Sequence, residues 1–496
     1  MNKKEGEQNQ TEVVLNLFQK ALKVLQDQFG FTNLRGPQEE VIRAVLAGES
    51  ILSLMPTGMG KSLCYQLPAV TKGGLTLVIS PLIALMHDQV QKNKEKGISS
   101  TYLSATLSKE EREERLHKVR DGKINILYVT PERFKRPEFK TIITQQKIEL
   151  LAIDEAHCIS HWGHDFRPDY SRLGEIKKML GDPPVIALTA SATPEVQKDI
   201  CEQLEIPEKN VISTGIQRDN LNLFVEESYG LEEKVERVLK FYEELQGNVI
   251  VYFTLISTLE KAAEIIKKKS INFTCYHGDL KSGDRRKNQN LFLKADRMLM
   301  LATPAFGLGV DKQDIRGVVH FEMPGSLESY YQEVGRAGRD GLSSKTLLLY
   351  DEDDISTQME FIKWSHPEPD FILGVYRLIE KGESELHGEG MLYLRKKLNF
   401  YNTRDYRVET SVNLMERWGF LEETSTGFGY KAVELPEGEI LNKQKILEEM
   451  KHQQKKLLQM VQFCKMESGC RWYELFKYFG HASNQQECGH CDLCLS

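Results

Sequence analysis

No run in this chain is long and apolar enough to cross a bilayer, its net charge is not positive, and its cysteines are odd in number. The longest nearly uncharged apolar stretch, Gly73 to Met86, is interrupted by Ser80-Pro81 and falls short of the ~20 residues that a membrane helix needs. A membrane-spanning protein is excluded on that ground. Residues 1–10 form a polar tail without an apolar signal region, so the chain reads as cytoplasmic. Nine cysteines without secretory features point to free thiols or metal ligands rather than a disulfide framework. The net charge of -7 offers no general attraction to nucleic acid, although phosphate affinity depends on a local basic groove and not on the total. Low-complexity segments and short repeats are absent.

What is present is enough for several cores: 496 residues, at roughly 150 per domain, imply three or four. Val13 to Phe29 has helical apolar spacing and Gly30 stops it. From Leu75 to Leu188, apolar runs (Leu75–Ile79, Ile124–Val129, Leu150–Ile153, Val185–Leu188) alternate with charged helical segments. This is α/β with a parallel sheet. A second such series runs from Val249–Phe253 to Thr346–Tyr350, with Pro207 to Leu221 as linker. Beyond Tyr350, helices at Phe371–Glu380, Met391–Leu398 and Val408–Trp418 precede a hairpin, Phe420-Leu421 and Tyr430–Leu435, in the pattern of a winged helix. A long polar helix, Asn442–Met466, leads to the last cysteines. The boundaries are thus a tail at 1–10, two α/β domains at 11–208 and 209–350, a linker helix and winged-helix-like domain at 351–436, and a helical cysteine-bearing module at 437–496.

Chemistry concentrates at few places. Met55-Pro56-Thr57-Gly58-Met59-Gly60-Lys61-Ser62 lies between a strand (Ile51, Leu52, Leu54) and a helix. Gly58 and Gly60 let backbone N–H groups turn toward a phosphate chain, Lys61 reaches the terminal phosphates, and Ser62 is placed to ligate Mg²⁺. Met55 occupies the position of the first glycine in the strict pattern, so an ordinary strand-to-helix turn is the alternative. Asp154-Glu155-Ala156-His157 follows an apolar strand, where open sheets bind ligands. Asp154 can hold Mg²⁺ and Glu155 can polarise a water; a charged loop is the alternative. Arg336 and Arg339, set among Gly335, Gly338 and Gly341, can stabilise a transferring phosphoryl group or form surface ion pairs. Cys488, Cys491 and Cys494 have zinc-ligand spacing. Cys470, Cys464 and His490 compete for the fourth position, and two disulfides are the alternative to a metal.

These motifs, in this order, resemble RecQ-family DNA helicases of superfamily 2. Phe31, Arg35 and Gln38 match the adenine-recognition motif; Met55–Ser62, Ser80–Val90, Asp154–His157, Leu188–Thr193, Ala302–Val310 and Gln332–Arg339 match successive helicase motifs. His157-Cys158-Ile159-Ser160-His161-Trp162-Gly163-His164-Asp165-Phe166-Arg167-Pro168 is similar to the family's aromatic-rich loop. The resemblance implies two tandem RecA-like domains, ATP, Mg²⁺ and Zn²⁺ as cofactors, and 3′ to 5′ unwinding of single-strand-tailed or forked DNA in repair or recombination. It also implies a monomer working with single-strand-binding or recombination proteins. Trp162, Phe166 and Arg167 would contact the strand, aromatics packed beneath a loop being the alternative. Phe428, in the hairpin tip Gly427-Phe428-Gly429, would wedge into the duplex, an inserted packing domain being the alternative. The family's Cys-Arg start, here Cys470-Arg471 ahead of Tyr478-Phe479-Gly480, selects Cys470 as fourth ligand. Departures are Gly36-Pro37, Ser191, Pro304 and the apolar Phe253-Thr254-Leu255-Ile256. Family members usually place a winged helix after the zinc module, whereas this one precedes it. Rival readings are a translocase or RNA-directed ATPase without strong unwinding, and a non-catalytic DNA-binding or annealing module.

Overall fold

The computed structural model describes residues 2–495 except 105–106, 164–166, 168, 214, 308–311, 383, 400–404, 425–427 and 482–485, with backbone alone at 2–10, 84, 384, 423 and 439. Phe166, positions 308–310 and the hairpin tip up to Gly427 therefore lie outside the described residues. Two units emerge from the contacts: Met1–Glu322 with Glu328–Tyr350 and Met466–Ser496, and Met323–Leu327 with Asp351–Lys465.

The first unit holds two parallel sheets. β1 (Ile51–Leu54), β2 (Leu75–Ile79), β3 (Ser100–Leu103), β4 (Ile126–Val129), β5 (Ile148–Ile153), β6 (Val185–Thr189) and β7 (Val211–Ser213) lie in the order β3-β4-β2-β5-β6-β1-β7. Central strands are apolar on both faces because both are covered. Leu75, Leu77 and Ile79 of β2 pack with Leu151 and Ile153 of β5 into one core, while Val78, Leu150 and Ala152 enter the opposite one. β8 (Leu221–Glu227), β9 (Asn248–Tyr252), β10 (Phe273–Tyr276), β11 (Leu299–Ala302), β12 (Ile315–His320) and β13 (Ser344–Tyr350) form the second sheet, ordered β10-β11-β9-β12-β13-β8.

Some boundaries differ from the expected ones. Helix Asn2–Phe29 takes in the polar stretch at 2–10, since its Lys, Glu and Gln propagate a helix already nucleated at 13–29. The segment read as linker contributes β7, paired with β1, and its end starts β8, paired with β13. Helix Lys443–Cys464, read with the cysteine module, belongs by its contacts to the second unit, and the zinc-type cysteines belong to the first.

The second unit has the helices and hairpin of the expected winged-helix pattern: Pro369–Lys381, Met391–Leu398 and Arg407–Trp418 around a core, closed by antiparallel β14 (Leu421–Glu423) and β15 (Tyr430–Ala432). Helices Asp353–Ser365 and Lys443–Cys464 pack on each other at either end of this segment. Among the described residues, no helix is long and apolar enough to cross a membrane.

Gly317 shows how tightly the second sheet meets its covering helix. A Cβ there would stand 2.7 Å from both Leu245 Cδ1 and Phe241 Cε1, the latter in helix Gly230–Glu244. Gly317→Ala is therefore expected to destabilise the fold by about 1–3 kcal/mol through overpacking. Chemical denaturation checks this, and an unshifted midpoint would contradict it.

Candidate active site

β1 delivers the chain to the glycine loop, and helix Leu63–Lys72 leaves it. Met55, the residue that breaks the strict pattern, is fully buried, its N–H donating to Thr189 O at 3.1 Å. Its carbonyl accepts from Lys61 Nζ at 3.3 Å. A core side chain thus replaces the first glycine without disturbing the turn, because Gly58 (φ 89°) and Gly60 (φ 75°) supply the left-handed backbone.

Asp154 and Glu155 emerge from the carboxyl end of β5. Asp154 N–H continues the ladder to Ile79 O at 2.8 Å, and its carboxylate accepts from Glu155 N–H (3.1 Å) and Ser80 Oγ (3.4 Å). Burial and the neighbouring Glu155 push the Asp154 carboxyl up to about 7, against the pull of Lys61. Burial likewise lowers Lys61, opposed by Glu155 and Asp154 and reinforced by Arg339. Two adjoining carboxylates with the Ser62 hydroxyl on the same cleft are a donor set suited to a hard divalent cation. Glu155 sits in left-handed backbone (φ 50°), and its carboxylate faces His157 Nδ1 at 3.4 Å. His157 Nδ1 in turn lies 2.9 Å from Thr189 Oγ1, which donates to Ser191 O. Sequence reasoning did not assign the His157–Thr189 link; its signal was a polar pair at the ends of two adjacent strands.

The opposite wall comes from the second sheet. Helix Leu327–Val334 leads into Gly335-Arg336-Ala337-Gly338-Arg339. Arg336 is buried and donates to Gly307 O. Arg339 passes so near the phosphate loop that a Cβ on Gly58 would lie 3.2 Å from its Cγ. Arg218 donates to Gly335 O (2.8 Å) and to Gly338 O, and Asn220 donates to Gly338 O at 2.8 Å. These two residues brace the arginine loop and were missed, since they lie in the segment read as linker. Phe31, Arg35, Gln38, Thr57, Lys61, Ser62, Asp154, Glu155, Arg336 and Arg339 all line one cleft of about 510 Å³.

Gln38, expected to face adenine, is engaged with the loop itself. Its Nε2 donates to Met59 O (2.8 Å) and faces Gly60 O (3.3 Å), and its Oε1 accepts from Arg35 N–H at 2.8 Å. One Oε1 lone pair remains for a base amino group, whereas donation to a ring nitrogen would require release of a loop carbonyl. Trp162 is half-buried against the first sheet's core, its N–H on Ser160 Oγ (3.1 Å), and Arg167 donates to Pro81 O at 3.1 Å. Phe428, expected at the hairpin tip, is half-buried and packs against the second unit's core, its ring 5.7 Å from Tyr430.

Cys470, Cys488, Cys491 and Cys494 gather with all four Sγ within 4.8 Å of one another. Tetrahedral zinc with Zn–S near 2.3 Å sets S···S at about 3.8 Å, so the cluster fits the ion, with four positions filled as in a structural site. Cys464, in helix Lys443–Cys464, and His490, whose Nδ1 lies 2.7 Å from Cys488 O, are outside the cluster.

Three family models match the chain: DEAD/DEAH box helicase over residues 35–200, helicase conserved C-terminal domain over 233–341, and RecQ zinc-binding over 437–495. The probable ATP-dependent DNA helicase RecS of Bacillus subtilis is 37% identical over 478 residues, 94% of this chain and 91% of that protein. The chain belongs to the RecQ family of DNA helicases. ATP-dependent DNA helicase RecQ of B. subtilis is 43% identical over 71% of this chain, and its Haemophilus influenzae counterpart 39% over 74%. The chain spans 60% and 58% of those two RecQ proteins. Two solved structures share its fold: Saccharomyces cerevisiae Dbp5 bound to RNA and ADP BeF3 (TM-score 0.53, 17% identity, 69% of this chain and 90% of that one), and Mycobacterium smegmatis helicase Lhr bound to ssDNA and AMP-PNP (TM-score 0.54, 16% identity, 84% and 60%). ATP and zinc are the cofactors that the family and the cysteine cluster support.

Two outcomes follow. Elemental analysis should find one zinc per chain, lost in Cys470→Ser and kept in Cys464→Ser; the reverse pattern would overturn the ligand set. Phe428→Ala should destabilise the second unit by about 2 kcal/mol, less than a fully buried Phe→Ala change, while duplex unwinding per ATP hydrolysed stays at the wild-type value. A selective loss of unwinding would restore the wedge.

Proposed function

We propose that this RecQ-family protein hydrolyses ATP to move 3′ to 5′ along single-stranded DNA and to separate tailed or forked duplexes in repair or recombination. The observation that carries the reading is one cleft with Lys61, Asp154 and Glu155 on one wall and Arg336 and Arg339 on the other. Each half alone is incomplete. Lys61 and the loop amides would hold the phosphates, and Phe31, Arg35 and Gln38 the base. Ser62 and Asp154 would hold the Mg²⁺ that neutralises phosphate charge when bound. Glu155 would orient and polarise the attacking water, with His157 fixing its carboxylate. Arg336 and Arg339 would meet charge developing on the transferred group, which makes hydrolysis depend on closure of the two sheets.

We further read the enzyme as a monomer acting on DNA beside single-strand-binding or recombination proteins. A second reading, a translocase with weak unwinding, is favoured by the inward packing of Phe428. ATP turnover and unwinding measured together on 3′-tailed DNA and RNA duplexes separate the two, and absence of turnover on every nucleic acid would leave only a binding or annealing role. Lys61→Ala should lower DNA-stimulated ATP turnover by on the order of a hundredfold or more. Wild-type turnover in that variant would remove the glycine loop from the mechanism.

A further inference from the structure

The zinc module is rooted on the second sheet. Trp472 Nε1 donates to Leu221 O (3.1 Å), and Val225 N–H donates to Asp492, whose carboxylate also holds Arg471 (3.0 Å). These contacts fix the module against β8. From there three consecutive residues reach both halves of the ATP cleft. The Phe479 ring lies 5.2 Å from Tyr331, and the Tyr478 hydroxyl meets the buried Glu328 carboxylate, both partners on helix Leu327–Val334. Gly480, in left-handed backbone (φ 73°), abuts Pro194 so closely that a Cβ would stand 2.4 Å from its Cγ.

Each partner leads directly to the cleft. Pro194 opens helix Pro194–Leu204, which Gln197 Nε2 ties back to Ala192 O at 2.9 Å. Through Ser191 and Thr189 that segment reaches His157 and Glu155. Helix Leu327–Val334 runs straight into Arg336 and Arg339. Tyr478-Phe479-Gly480 therefore lies at a junction where a shift changes the spacing between the water-orienting side and the arginine side.

We infer that Tyr478-Phe479-Gly480 is a positioning element of the ATP site, setting how far helix Leu327–Val334 stands from Pro194 and so how closely Arg336 and Arg339 approach the phosphate loop. The inference rests on the hydrolytic reading above. A proline ring is rigid, so a methyl group at 480 forces one side of the junction to move. Pro194→Ala removes the atoms that the methyl would strike, leaving Cβ at 3.7 Å. Backbone strain from alanine at a left-handed position stays within the zinc module and is not relieved by a change at 194.

The test is steady-state, DNA-stimulated ATP hydrolysis with zinc content measured on each protein. Gly480→Ala should lower kcat on the order of tenfold, as for a displacement of about 1 Å or less, with KM for ATP and bound zinc unchanged. Pro194→Ala with Gly480→Ala should recover most of it. Wild-type kcat in Gly480→Ala, or a loss that Pro194→Ala does not repair, would overturn the inference. Should Gly480→Ala shed its zinc, Tyr478→Phe decides. A reduced kcat with zinc retained supports the bridge, and an unchanged kcat removes it. A wild-type protein without ATP turnover fails the hydrolytic reading instead.

Discussion

Crowding Lys61, Asp154 and Glu155 side by side, each half-buried, at the carboxyl edge of a sheet is the constraint from which the rest follows. Partial removal from water disfavours each of these charges alone. Together they compensate in part, and what remains is visible as a raised Asp154 and a lowered Lys61, each displaced first by burial. The backbone is bent to keep them there. Left-handed geometry at Glu155 costs about 1–2 kcal/mol, which β5 and β2 can sustain because their interior residues are wholly buried. A site holding uncompensated charge favours ligands that bring both signs, as a triphosphate with its cation does.

The second sheet serves that site by presenting arginines at a controlled distance. Arg336 is held from behind by the Gly307 carbonyl, while Arg218 and Asn220 grip the loop by its carbonyls, leaving its side chains to face the cleft. Glycine at 58 admits Arg339 against the phosphate loop. The cleft is thus lined from two parallel sheets, each contributing what the other lacks.

Central strands were legible because burial on both faces writes a continuous apolar run. Three of the four edge strands were not: β3 reads Ser-Thr-Tyr-Leu, β7 Val-Ile-Ser, and β8 ends in Glu-Glu. An edge strand is held by backbone hydrogen bonds on one side, so polar residues are tolerated and the hydrophobic signal fades. The glycine loop, the carboxylates, the arginines and Cys488, Cys491 and Cys494 stood out because each motif's chemistry restricts its residue types, whereas Cys470 was singled out only by the family resemblance. Orientation was not. An aromatic such as Trp162 is the same letter whether it stacks on a base or seals a core, and Gln38 has the same amide whether it meets a nucleotide or a loop carbonyl.

Placement of the winged-helix segment ahead of the cysteines has a structural basis in the helices at its ends. Asp353–Ser365 and Lys443–Cys464 pack together, so the chain leaves and returns at neighbouring points, the condition under which an inserted domain leaves its host undisturbed. Residues 366–442 carry nine Lys or Arg against fourteen Asp or Glu. That balance offers no net attraction to a phosphate backbone, and Phe428 of the hairpin packs against the unit's own core. The insertion is thus a folded unit in its own right, its three helices and hairpin sharing one core.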